Sequence, residues 1–130
     1  MKFALAIFVA FLGTSSAFAH HSFEAEYDDK KPITLTGTVA KVDWMNPHIF
    51  IHIDAKDEAG KVTRWMCEGG NPNSLIRAGW KRTSLKAGDE IVIKGYWAKD
   101  GSNTCNGRSV QFPDGRKLFA GSSSDGGPQQ

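Results

Sequence analysis

Four histidines hold the near-neutral titration chemistry of this 130-residue chain, and they fall into two pairs: His20-His21, and His48 with His52. Imidazole is a nitrogen donor for transition metals, so each pair is a candidate for metal ligation. His20 gains a second donor if the chain is cut after Ala19. Its new α-amine and its Nδ1 then chelate one ion as a unit. One imidazole from elsewhere completes a T-shaped three-nitrogen site, a histidine brace, which suits Cu(II). His21 supplies another imidazole next door. His48 and His52 are about 13 Å apart along an undistorted strand, so at most one of them joins His20. His48 is the better candidate, because it borders the Asn46-Pro47 turn. A hairpin register that sets Ile51 beside Trp65 also sets His48 beside Glu68. The Glu68 carboxylate would then orient the imidazole. Met66 lies close by as a soft donor for Cu(I). The competing reading makes His20 and His21 solvated terminal residues, and His48 and His52 ordinary strand-surface side chains.

The cut itself is written in the first 19 residues. Lys2 gives a positive start, Phe3 to Leu12 is an apolar run too short to span a bilayer, and Ala17-Phe18-Ala19 is a small-x-small cleavage pattern. Residues 1–19 read as a secretory signal peptide. An uncleaved anchor is the alternative. The mature chain is then 130 less 19, or 111, residues; it loses Lys2 and no acidic residue, so the net charge falls from +2 to +1. No later run is long enough for a membrane span, and the product is expected to be periplasmic or secreted. That near-neutral balance disfavours nucleic-acid binding, which runs on phosphate neutralisation.

An exported chain with two cysteines permits a disulfide. Cys67–Cys105 is the leading reading, worth about 4 kcal/mol in the chain-entropy model. Two separate buried thiols are the alternative, and a thiolate metal site ranks last because no further cysteine completes it.

Four tryptophans invite a stacking surface for a sugar. Trp65 and Trp97 share faces with apolar residues and read as core. Trp44 and Trp80 lie near turns, and with Phe50 and His52 they outline a candidate ligand face. Enzyme signatures are missing: no nucleophile elbow, P-loop, H-E-x-x-H or dinucleotide fingerprint is present. Asp43, Asp54 and Glu68 have no spacing that singles out a carboxylate pair. The reading leans away from an enzyme.

These side chains must be positioned by strands. Ile33 to Trp44 is rich in β-branched residues and reads as a first strand, with Gly37 as a bulge or bend. His48 to Asp54 alternates strictly, so Ile49, Ile51 and Ile53 face the core. Val62 to Glu68 is a third strand. Asn71-Pro72 opens a short helix, Asn as N-cap and Pro at the first position, with Gly79 past its end. Glu90 to Ala98 and Arg108 to Phe112 are the fourth and fifth strands, and Asp114-Gly115 leads a small hairpin to Phe119. Residues 20–31 show no period, though Phe23 and Tyr27 suit a surface anchor. The order predicts a mainly β domain over residues 20–120: a five-stranded OB-like small barrel with one short helix between strands 3 and 4. Residues 121–130, rich in Gly, Ser, Pro and Gln, read as a disordered tail.

Five strings carry a likeness: His20-His21-Ser22-Phe23, Asn46-Pro47-His48, Glu68-Gly69-Gly70-Asn71-Pro72-Asn73, Gly79-Trp80 and Asp114-Gly115-Arg116-Lys117-Leu118-Phe119. Together they resemble a family of small exported bacterial proteins catalogued as a domain of unknown function, over roughly residues 20–121. That resemblance implies export and one small β-domain, and neither cysteine belongs to its motifs. Three functions follow: a module holding a copper-type ion through His20 with His21 or His48, for metal handling or redox protection; a small-ligand or glycan binder using Trp44, Phe50 and Trp80; or a domain that partners another envelope protein.

Overall fold

The computed structural model describes residues 22–122 and 127–128. Its elements in chain order are α1 (Ser22–Glu26), β1 (Tyr27–Asp43), β2 (Phe50–Lys56), β3 (Val62–Glu68), α2 (Pro72–Arg77), β4 (Glu90–Ala98), β5 (Thr104–Gln111) and β6 (Lys117–Phe119). The fold is mainly β, with α2 between the third and fourth strands as expected. The signal segment, His20 and His21 lie outside the described residues.

The strands form one sheet in the order β3-β2-β1-β4-β5-β6, and β3 also pairs with β5. Neighbours in that order are antiparallel, whereas β3 and β5 run parallel through Met66–Thr104, Cys67–Cys105 and Glu68–Asn106. A disulfide joins Cys67 to Cys105 at the middle of this short ladder, with Cα atoms 4.5 Å apart. The three inward isoleucines of β2, Ile49 included just ahead of it, are fully buried. They meet Leu35, Val39, Ile91, Ile93 and Val110, and Leu75, Trp80 and Leu85 from the α2 region complete the core.

Within the irregular segment, residues 22–31 are more ordered than their lack of period suggests. Ser22–Glu26 is a helix, and β1 begins at Tyr27. Phe23 and Tyr27 are buried with Tyr96 and Ala98, apart from the main core. Tyr96 and Ala98 have the opposite phase to Ile91 and Ile93, so this second cluster covers the outer face of β4.

Several expectations need correction. Ile51 pairs with Cys67, not Trp65, and Glu68 pairs with Phe50. That register is displaced by two residues, which keeps every side chain on its face. Gly37 is no bulge; the register shift falls between Val39 and Lys41. A Cβ at Gly37 would overlap the Asp54 carbonyl, so the glycine permits close approach of β2. Trp97 keeps the inward phase of Ile93 but is 36% exposed, because β4 ends one residue later. Its ring meets half-buried Trp65 edge-on at 5.7 Å. Trp80 goes the other way: it is 2% exposed, and its indole N–H donates to the Phe119 carbonyl at 2.8 Å. β5 starts at Thr104 rather than Arg108, because the polar run Asn106-Gly107-Arg108 is buried on both faces. Lys94 pairs with Ser109 and Gly95 with Gly107, which makes Arg108 the bulged residue. In the expected disordered tail, Gly121, Ser122 and Gly127 are buried; residues 123–126 and 129–130 lie outside the described residues.

Candidate functional site

Where β3 ends, Glu68 and Gly69 meet the loop that carries His48. Gly69 N–H donates to the Ile49 carbonyl at 2.8 Å, and Ile49 N–H donates to the Gly70 carbonyl at 3.0 Å. Gly70 N–H donates to the Ala120 carbonyl at 2.8 Å, which ties in the end of β6. Both glycines are sterically required: a Cβ on Gly69 would sit 2.7 Å from Ile49 Cγ1, and one on Gly70 2.7 Å from the Gly121 carbonyl oxygen. On the other side, the Asn71 amide donates to Asn46 Oδ1 at 3.1 Å, beside the cis Asn46–Pro47 peptide.

This frame fixes His48. Its Nδ1 lies 2.9 Å from the Gly69 carbonyl oxygen and 3.3 Å from Glu68 Oε1. A carbonyl oxygen only accepts, so Nδ1–H is the donor. In neutral imidazole the lone pair then resides on Nε2, the atom a metal would use. Glu68 Oε2 accepts from the Tyr27 hydroxyl at 2.6 Å. Burial, then the Glu68 hydrogen bond and charge, push the Tyr27 phenol well above its usual range, so it remains a donor. The contact of His48 with Glu68 was expected, but it does not come from strand pairing: His48 precedes β2 and reaches Glu68 from the loop.

Sequence reasoning missed Tyr27, Asn106 and Arg108. Cys67 and Cys105 point into the core, so their successors Glu68 and Asn106 both point to the opposite face. Asn106 is 3% exposed, and its Oδ1 has no hydrogen-bond partner among the described residues. Buried Arg108 lies 4.9 Å above the Phe23 ring and donates from Nη1 to the Ser122 carbonyl at 3.1 Å. Tyr27 sits in a segment without period, and Arg108 is covered by Phe23 of α1 and by the tail at Ser122. No local pattern announces either.

The remaining candidates disperse. His52 Nε2 is held by Asp43 Oδ2 at 2.8 Å, and Lys41 Nζ lies 3.2 Å from the same oxygen. The His52 hydrogen bond, followed by that of Lys41, lowers the Asp43 pKa. Met66 is the strand partner of His52. Half-buried Trp44 packs on Trp80 at 6.3 Å, with Arg82 5.9 Å from its ring. Because Trp80 turns into the core, Trp44, Phe50, His52 and Trp80 do not make one open face.

A model of a family of unknown function, DUF6152, matches residues 9–107. The chain belongs to this family. No curated protein and no solved structure matches it. The DUF6152 match includes Phe23, Tyr27, His48, Glu68, Gly69, Gly70 and Asn106, the residues that frame the site, and stops just before Arg108. Among the described residues, no three or more His, Cys, Asp or Glu side chains group closely enough to hold a metal ion. Also among them, no helix is long and apolar enough to cross a membrane.

Proposed function

We propose that this DUF6152 protein is an exported, OB-like β-barrel module that binds a copper-type ion between its mature amino terminus and His48, for metal handling. The barrel reading is supported by the circuit of pairings β1–β2–β3–β5–β4–β1, with α2 between β3 and β4. Export is supported by the Lys2, apolar-run and Ala17-Phe18-Ala19 signature, and a disulfide is compatible with it.

The observation that carries the metal reading is the state of His48. Its Nδ1–H is committed to Gly69 and Glu68, so Nε2 remains the donor, and the carboxylate behind the ring fixes its orientation. A single imidazole cannot hold an ion. The mature amine and the His20 imidazole supply the missing nitrogens, and a nitrogen-rich set fits Cu(II). The tether is short. His20 lies three residues before Phe23, at most about 10 Å of chain. Phe23 is docked beside Arg108, whose carbonyl accepts from Ala120 N–H, and the Ala120 carbonyl accepts from Gly70 N–H next to Gly69.

Titration calorimetry with Cu(II) tests this on three proteins: the form starting at His20, the same form with one extra N-terminal residue, and His48→Ala. The first should bind at least about tenfold more tightly than either of the others, as expected for loss of one ligand. Equal, weak binding by all three overturns the reading.

A further inference from the structure

The segment that leads into the site is built as a separable strap. Helix α1 has only five residues, too few to be stable alone, so its docking contacts hold it. Phe23 packs edge-on against Tyr96 at 5.7 Å and at a tilt of 36° against Tyr27 at 5.8 Å. Lys99 N–H donates to the Glu26 carbonyl at 2.8 Å, and the Lys99 ammonium donates to the Glu24 carbonyl. After Tyr27 pairs with Ala98, the ladder shifts and resumes only at Pro32 with Tyr96. In the link between them, residues 28–31, Asp28 is half-buried and residues 29–31 are exposed. Residues 22–27 can therefore leave the outer face of β4 as a unit while the main ladder persists.

The Glu68 carboxylate connects this strap to His48 directly. Glu68 gives Oε2 to the Tyr27 hydroxyl at 2.6 Å and presents Oε1 to His48 Nδ1 at 3.3 Å. Tyr27 on Oε2 holds the carboxylate in the one orientation that also presents Oε1 to His48, so each contact supports the other. We propose that Tyr27 latches the amino-terminal strap, and that latching and ligand occupancy at His48 favour each other through the shared Glu68 carboxylate. This rests on the metal reading above for the identity of the ligand, but the Tyr27–Glu68–His48 coupling exists without it. Tyr27 is a positioning residue. Its effect on binding is indirect, and by reciprocity a ligand that ties the amino terminus to His48 must tighten the strap to the same degree.

Amide hydrogen exchange at Lys99, bonded to Glu26, reports the strap. In metal-free protein, Tyr27→Phe keeps the ring and removes the latch. It should raise the Lys99 rate about tenfold while the Ile93 amide in the core stays unchanged. Glu68→Gln, a second variant, should do the same. His48→Ala combined with Tyr27→Phe should give a rate that differs from the product of the two single effects. Cu(II) should slow Lys99 exchange in the wild-type protein, and Tyr27→Phe should lower Cu(II) affinity about tenfold. Unchanged Lys99 exchange in Tyr27→Phe, or multiplicative effects in the double variant, overturns the latch. Absence of Cu(II) binding by the wild-type protein would overturn the metal reading alone, since the metal-free comparison still decides the coupling.

Discussion

The two strand-region histidines differ in which ring nitrogen is engaged, and that decides what each can do. His48 uses Nδ1 and retains Nε2, whereas His52 has Nε2 held by Asp43. The alternation of residues 48–54 is enough to place both on the outer face. It says nothing about ring nitrogens, because those depend on a carbonyl and a carboxylate distant in sequence. The His52–Asp43 contact has its own consequence. The Asp43 pKa is lowered, first by the His52 hydrogen bond and then by that of Lys41. A carboxyl whose folded pKa is depressed adds stability that is present above its unfolded pKa, about 3.9, and is lost as pH falls through the lower folded value. Asp43→Asn should therefore lower neutral-pH melting slightly and flatten the loss of melting temperature below about pH 4, so that the two proteins converge in acid. The effect will be small, since the group is solvent-exposed. Differential scanning calorimetry at a series of pH values checks it. Parallel acid limbs for the two proteins would refute it.

At the level of elements, legibility follows how local the determining contacts are. Val62–Glu68 and Glu90–Ala98 are read from sequence with their observed limits, because each is a β-rich run bounded by local turn residues. The helix after Asn71 is equally local: its side chain accepts from the N–H groups of Asn73 and Ser74, and Pro72 occupies the first position. Asn71→Ala should cost about 1 kcal/mol from the cap alone, and also frees Asn46 beside His48. Urea unfolding reads the first effect, and a loss of Cu(II) affinity larger than that of a core variant of equal stability reads the second. Strands β1 and β5 are less legible, because β1 begins in the strap and β5 is buried under it. Gly37 shows the same limit. Its need is set by the approach of Asp54 from β2, not by its own strand. Gly37→Ala should destabilise by about 1–3 kcal/mol, as overpacking does, in the same unfolding assay. A neutral result would mean that β2 can move away from β1 at that point.

For the molecule as a whole, the contact between β3 and β5 is the decisive one, and it is also the one least accessible from sequence. Element order suggests the circuit, and the disulfide expectation rests on compartment. Neither specifies that the bond lies on the parallel ladder itself. The ladder has three rungs, and Cys67–Cys105 is the middle one. The rung after it carries Glu68 and Asn106, so the bond that joins the two strands also sets the floor of the site. Chain-entropy arguments assign about 4 kcal/mol to a bridge of this span, a large part of the stability of a domain this size. Cys67→Ala with Cys105→Ala should therefore lower unfolding free energy by about that amount, plus a cavity cost for two buried sulfurs. The loss should not be uniform. β2–β3 and β4–β5 keep their antiparallel ladders, while the β3–β5 rungs lose their covalent clamp. Hydrogen exchange on the bridge-free protein below its unfolding midpoint should show early opening at Met66 and Glu68, and Cu(II) affinity should fall before secondary structure is lost by circular dichroism. If affinity and secondary structure instead disappear together, the three-rung ladder holds without its bridge, and the site depends only on the global fold.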